Sequence, residues 1–261
     1  MAIEVEILDK NDRKMIVIIS GIDYGMANAI RRIAVSEVPV MAVEYVDFIE
    51  NSSGFFDEIL AHRIGSIPLT SLGTHNVKSE CKCSGKGCSR CQVTLALEAE
   101  GPRMVKAEDI VSSDDDVRPS DPSIPVVELL TGQRVKLTAV AEYGFGKDHS
   151  KWQSSIVGYR CVPSVRIVNK DNASDAIKVC SKGVFGKNDD GVYTSKSMNC
   201  DLCMRCAEVT GGAISITPSE TDFIFTIESV SSLKPDEILT KSLDILSARA
   251  EEFKKLVKSE V

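Results

Sequence analysis

The chain has 261 residues, 43% of them hydrophobic, enough for one large domain or two to three small ones with real cores. A net charge of −7 and a pI near 5.2 lack the basic footprint that displaces counterions from phosphates, and 5% aromatic residues leave few platforms for stacking bases; together they argue against a free-standing nucleic-acid binder. The first residues lack the basic-then-apolar layout of a signal peptide, and no apolar run approaches the roughly 18 residues that span a bilayer, so a reducing cytoplasm is the expected compartment.

Ile3, Val5 and Ile7 alternate, and Met15 to Ile19 is a continuous apolar run, so the sequence predicts a hairpin turning through Asp9 to Asp12. From Gly25 the period changes. Met26, Ile30, Ile33 and Ala34 form a helical stripe that stops before Pro39, with Asn28, Arg31 and Arg32 on the adjoining face. Taken alone that trio is a solvated face; its sharper reading is a polar patch offered to a partner protein.

Mixed strand signals from Val43 to Leu72 surround a helical turn over Phe56 to Ile64, and a Gly/Ser-rich loop from Thr74 to Cys91 follows. Val93 to Leu97 and Val135 to Glu142 read as strands, while residues 112–125, acidic and interrupted by proline, read as an exposed loop. A small α+β unit spans Cys161 to Ser215: a strand at Val165 to Val168, short helices around Ala173 to Val179 and Leu202 to Val209, a hairpin through Lys187 to Gly191, and a strand at Ala213 to Thr217. Phe223 to Glu228 is a further strand. Pro235 then suits the first turn of a helix, with Asp236 and Glu237 beside its positive end. Leu239, Leu243, Leu246, Ala250, Phe253 and Val257 follow at spacings of 4, 3, 4, 3 and 4, a heptad seam that packs either on the chain's own sheet or on a helix of another subunit.

Eight of the nine cysteines fall into two sets, and only Cys161 is left over. Cys81, Cys83, Cys88 and Cys91 form two short-range pairs joined by a glycine-containing turn. This suits a closed tetrahedral site for one structural zinc, and a reducing cytoplasm disfavours disulfides. Cys200, Cys203 and Cys206 stand three apart with Cys180 upstream, similar to one half of a bacterial ferredoxin, and predict a single [4Fe-4S] cluster. Ser181 stands where the ferredoxin pattern has proline, and Thr210 where a second cluster needs its cysteine; a [3Fe-4S] form, or zinc in the same set, stays open. Gly144-Phe-Gly146-Lys147-Asp148 lacks the residues of a phosphate loop, and no nucleophile stands beside His62, His75 or His149, so the sequence makes no case for catalysis on this chain.

Four segments carry a resemblance along nearly the whole chain: Asn28 to Pro39 (NAIRRIAVSEVP), Asp57 to Leu69 (DEILAHRIGSIPL), Gly144 to Trp152 (GFGKDHSKW) and Ile227 to Pro235 (IESVSSLKP). In this order they resemble the family of alpha-like subunits of archaeal RNA polymerase, related to the bacterial alpha subunit, in its iron–sulfur form. The resemblance implies an α+β fold with a discontinuous dimerisation domain (1–42 and 220–261), an inserted mainly-β domain with the four-cysteine loop (43–160) and a ferredoxin-like domain (161–219). It implies a non-catalytic platform that pairs with the small L subunit, through the helix bearing Leu239, Leu243, Leu246 and Phe253. The large catalytic subunits would dock on Asn28, Arg31 and Arg32, and on the segment holding Glu58, His62 and Arg63. It also implies DNA contact only through the assembled enzyme, and magnesium chemistry on other chains. A stand-alone electron carrier and a redox-sensing regulator of assembly are the competing functions.

Overall fold

The computed structural model describes residues 2–71, 73, 75–170 and 172–260; Leu72 and Thr74, which bound two of the expected segments, lie outside them. In chain order the elements are β1 (Glu4–Lys10), β2 (Lys14–Ser20), α1 (Tyr24–Ser36), β3 (Val40–Asn51), α2 (Asp57–Gly65), β4 (Gln92–Glu100), β5 (Arg103–Lys106), β6 (Val111–Ser112), β7 (Pro125–Leu129) and β8 (Arg134–Gly144). There follow β9 (Ser155–Ile167), α3 (Asp175–Val179), β10 (Phe185–Asn188), β11 (Gly191–Thr194), α4 (Arg205–Val209), β12 (Ile214–Ser229) and α5 (Pro235–Glu260). No helix among the described residues is long and apolar enough to cross a membrane.

The chain forms two compact units. One gathers Met1–Lys10, Met15–Asn28 and Gly158–Thr226. Its main sheet runs β1-β2-β12-β9, and the β1–β2 hairpin closes through Asn11, whose Oδ1 accepts from the amides of Arg13 and Lys14 at 2.9 and 2.8 Å. Val17, Ile18 and Ile19 of β2 and Phe223, Ile224 and Phe225 of β12 are buried, as inner strands require, whereas β1 is an edge strand exposed along its length. Tyr159 sits edge-on to Phe223, centroids 5.6 Å apart. Around the second cysteine set a satellite core forms from Ala173, Ala176, Val184, Phe185, Val192, Ile214 and Ile216, with Cys200 and Cys206 buried in it. The expected strands at 213–217 and 223–228 are one continuous strand, β12, with Pro218 inside it.

The other unit comprises Asn11–Lys14, Ala29–Val157 and Ile227–Val261. Its sheet runs β3-β8-β4-β6, with β5 and β7 as a separate two-stranded ribbon. Along β4 and β8 strict alternation puts Val93, Leu95, Leu97, Leu137, Ala139 and Ala141 in one core, which α2 covers with Leu60 and Ile64. Residues 112–125 are not the free loop that their composition suggests. Val117 is fully buried, and the backbone pairs with the 68–70 segment, Thr70 N to Arg118 O at 2.7 Å and Ser120 N to Pro68 O at 2.9 Å. Isolated valine buried among aspartates is a signal that average composition hides.

The Gly144 to Trp152 segment has a packing reason for its glycines. A Cβ on Gly144 would stand 2.2 Å from the Trp152 ring, and one on Gly146 would stand 2.5 Å from Val35 O. Trp152 donates from Nε1 to Glu142 O at 3.2 Å, and Lys147 N donates to Ser36 O at 3.0 Å. The segment pins the end of α1 by close backbone approach, which only glycine permits.

Candidate metal centres and partner surfaces

The first cysteine loop is built by turns. A 3-10 turn at Lys78–Glu80 leads into Cys81, and left-handed Ser84, Gly85 and Gly87 reverse the chain, with Ser84 N donating to Cys81 O at 3.0 Å and Lys86 N to Cys83 O at 3.2 Å. The four sulfurs lie within 4.8 Å of one another, with Cys81–Cys88 and Cys83–Cys91 at 3.6 Å and Cys88–Cys91 at 3.8 Å. A tetrahedral metal with metal–sulfur bonds of about 2.3 Å has sulfur–sulfur edges of about 3.8 Å, so these four residues can bind one metal ion. Beneath the loop the Glu142 carboxylate accepts from Gln92 Nε2 at 2.9 Å and pairs with Lys78 Nζ at 3.1 Å, tying both ends of the loop to β8.

Metal-free, the thiols are unequal. Burial pushes Cys91 up to about 12. Burial acts the same way on Cys83, but hydrogen bonds from the Cys81 and Cys91 thiols and the Gly87 amide outweigh it and bring it down to about 7. One thiolate is thus ready near neutral pH, and a metal must displace protons from the others.

The second set meets around one pocket. Cys180 follows α3, Cys200 and Cys203 lie on the turn before α4, and Cys206 opens α4; all four line a pocket walled by Val179, Val184, Phe185 and Ile216. Leu202 and Met204, between successive cysteines, both take left-handed backbone conformations (φ 61° and 63°). For non-glycine residues each costs roughly 1–2 kcal/mol, a cost characteristic of turns that aim ligands. Burial raises the Cys200 and Cys206 thiols above their ordinary range. Among the described residues, this set does not draw its sulfurs within 4.8 Å of one another as the first set does. A single ion wants that close spacing, whereas an iron–sulfur cluster interposes its own atoms and wants the thiolates further apart. Lys182, Asp201 and Arg205 also line the pocket, with Lys182 4.0 Å from Asp201 and Arg205 3.8 Å from Glu208, so the wall carries no unbalanced charge and it is the four thiols in an apolar lining that can hold a metal or a cluster.

Of the expected partner contacts, Asn28, Arg31 and Arg32 all lie on α1, the first two half-buried and Arg32 exposed. Met26, assigned to the apolar stripe, is exposed, and Ala27 takes the buried position. On α2 Glu58 and His62 are exposed, while Arg63 stacks over Phe55 (5.3 Å) and donates to Pro125 O at 3.0 Å. His62 comes together with His149, Lys151 and Glu44 around one surface pocket, a juxtaposition of two of the quoted motifs that spacing could not show.

On α5 Leu239 and Leu246 are half-buried and Leu243 exposed, and Phe253 is 69% exposed. The face covered by the chain itself is a different one, with Ile238 and Ser242 fully buried and Ile245 half-buried. That second stripe was missed, although its 4 and 3 spacing is legible. Every residue from Ser247 to Ser259 is exposed, including Leu256 at 58% and Val257 at 46%. Two residues the sequence did not single out also stand out: Phe56, 79% exposed before α2, and Arg160, whose guanidinium reaches the second cysteine turn.

The antiparallel sheet that bears the four-cysteine loop interrupts a second sheet made of β1, β2, β9 and β12, an arrangement consistent with an alpha-type RNA polymerase subunit, and residues 46–159 match the family described as RNA polymerase Rpb3/RpoA insert domain. Proteins named DNA-directed RNA polymerase subunit Rpo3 are similar over nearly their full length. The one from Archaeoglobus fulgidus is 40% identical over 97% of both chains, that from Methanosarcina acetivorans 37% over 97% of both, and that from Thermococcus kodakarensis 37% over 96% of both. The chain belongs to this Rpo3 family of archaeal polymerase subunits, and its function is that of a subunit of DNA-directed RNA polymerase.

Proposed function

We propose that this chain is the assembly platform of its polymerase. Residues 1–42 and 220–261 form the dimerisation domain that pairs with the small L subunit, 43–160 the insertion domain, and 161–219 the iron–sulfur domain. The observation that carries the reading is the second half of α5, where Phe253, Leu256 and Val257 are exposed, while the first half is anchored to the chain by buried Ile238 and Ser242. A long amphipathic helix with an unpartnered apolar stripe is stabilised by a second helix laid along it. Asn28, Arg31 and Arg32, and the Glu58, His62, Arg63 segment, then serve the large subunits, which carry the catalytic carboxylates.

Cys81, Cys83, Cys88 and Cys91 hold one structural zinc in this reading, closing a loop that has little core of its own. Cys180, Cys200, Cys203 and Cys206 hold one iron–sulfur cluster, which cross-links α3 to the turn before α4. Sulfur spacing in the first set and the cysteine-lined pocket of the second support these assignments. Metal analysis of anaerobically purified chain should return roughly one zinc and four iron. Co-expression with the small subunit should give a one-to-one heterodimer that Phe253→Glu combined with Leu246→Glu dissolves. A heterodimer that survives both substitutions overturns the seam as the interface.

A further inference from the structure

We propose that Arg160 is a positioning residue for the second cysteine set: it clamps the Cys200 end of the ligand turn onto β9 and holds a fixed cation against the backbone of that turn. The inference rests on the cluster reading above. Arg160 donates from Nη1 to Cys200 O at 2.8 Å and from Nη2 to Met198 O at 2.6 Å. A planar guanidinium that reaches two carbonyls fixes the distance and the orientation of the peptide segment between them, which a single-point donor does not. One of the two carbonyls belongs to a ligand residue itself.

The turn needs such an anchor. Leu202 and Met204 are left-handed, so the Cys200–Cys206 segment is held in a conformation that its own backbone disfavours. Its own polar contacts are local: Cys203 N reaches Asp201 Oδ1 at 3.4 Å, and the Leu202 and Ala207 amides bond the Cys200 and Cys206 sulfurs, none of which ties the turn to the sheet. Arg160 is itself held on a regular strand, beside Tyr159, whose ring packs on Phe223 and Phe225 at 5.6 and 5.4 Å. The clamp therefore transfers the rigidity of the sheet to the ligand turn. Charge gives it a second effect. Reduction adds an electron to a group already ringed by thiolates, so a nearby cation favours the reduced form and raises the potential.

The full-length chain is loaded anaerobically with iron and sulfide and compared with Arg160→Gln and Arg160→Lys. The readouts are iron content, competition with a chelator, and redox titration followed by electron paramagnetic resonance. Arg160→Gln is expected to hold iron roughly 10- to 100-fold less tightly, the usual effect of losing a residue that orients a ligand, and to titrate at a lower potential. Arg160→Lys keeps the cation and loses the fork, so its potential stays near wild type while its retention falls between the two. Iron retention and potential equal to wild type in Arg160→Gln overturn the proposal. Should that variant not fold, wild-type retention in Arg160→Lys overturns it. A wild-type chain that takes up no iron overturns the cluster reading, and the inference with it.

Discussion

Single residues here act mainly by what they exclude or hold. Gly144 exists because the Trp152 ring occupies the space of its Cβ at 2.2 Å, and neither partner can retreat while Nε1 is bonded to Glu142 O. Gly144→Ala is therefore expected to destabilise the chain by about 1–3 kcal/mol, the usual cost of overpacking, measured as a lowered urea midpoint with unchanged slope. At the first cysteine loop the thiols set a pH dependence of uptake. Metal binding must release the protons that burial holds on Cys91, pushed up to about 12, whereas Cys83, brought down to about 7, is already partly ionised near neutrality. As the pH falls below 7, Cys83 too becomes protonated in the free loop, so zinc must displace one proton more there than it does above that pH. Apparent zinc affinity is expected to fall with falling pH, and more steeply below 7 than above it; a competition titration with a chromophoric chelator at several pH values checks this.

At the scale of elements, α5 shows how two apolar stripes on one helix divide the work. Ile238 is fully buried, so Ile238→Ala is expected to cost the isolated chain about 2–5 kcal/mol, whereas Phe253→Ala, on an exposed face, should stay within about 0.5 kcal/mol. Thermal unfolding of the two variants without any partner separates the faces; equal losses would mean that Phe253 is packed in the chain. The sequence showed the outer stripe because its heptad is regular, and hid the inner one because Ser242, polar by type, occupies a core position. Hairpins and helix starts were legible where Asn11, Gly191 and Pro235 punctuate them. The extents of β9 and β12 were not, since Pro163 and Pro218 lie inside strands of 13 and 16 residues whose pairing is settled by neighbouring strands rather than by local preference. The first cysteine set could be read from spacing alone, because residues this close in sequence need only a turn to bring their sulfurs together; in the second, Cys180 stands far upstream of Cys200 and reaches the same pocket only through the fold. The Arg160 clamp could not, since its carbonyls lie 38 and 40 residues away and backbone acceptors leave no residue signature.

For the whole molecule, the two compact units each contain one cysteine set: the four-cysteine loop in the unit holding Ala29–Val157, the second set in the unit holding Gly158–Thr226. Small cores gain most from a metal cross-link, and the satellite core around the second set is small, drawing two of its buried members from the cysteines themselves. If the proposed cluster is structural, losing one ligand should loosen that unit and spare the other. Cys203 is the exposed member of its set, so Cys203→Ser removes a ligand without opening a cavity in the core. Hydrogen exchange is expected to quicken across residues 173–216 in this variant, with protection of β3, β4 and β8 unchanged. The heterodimer proposed with the small subunit should weaken only as far as β2 and β12 share the loosening. Wild-type protection around the second set, with unimpaired assembly, would instead count against a structural role, because a structural cross-link cannot be removed without releasing the segments it joins.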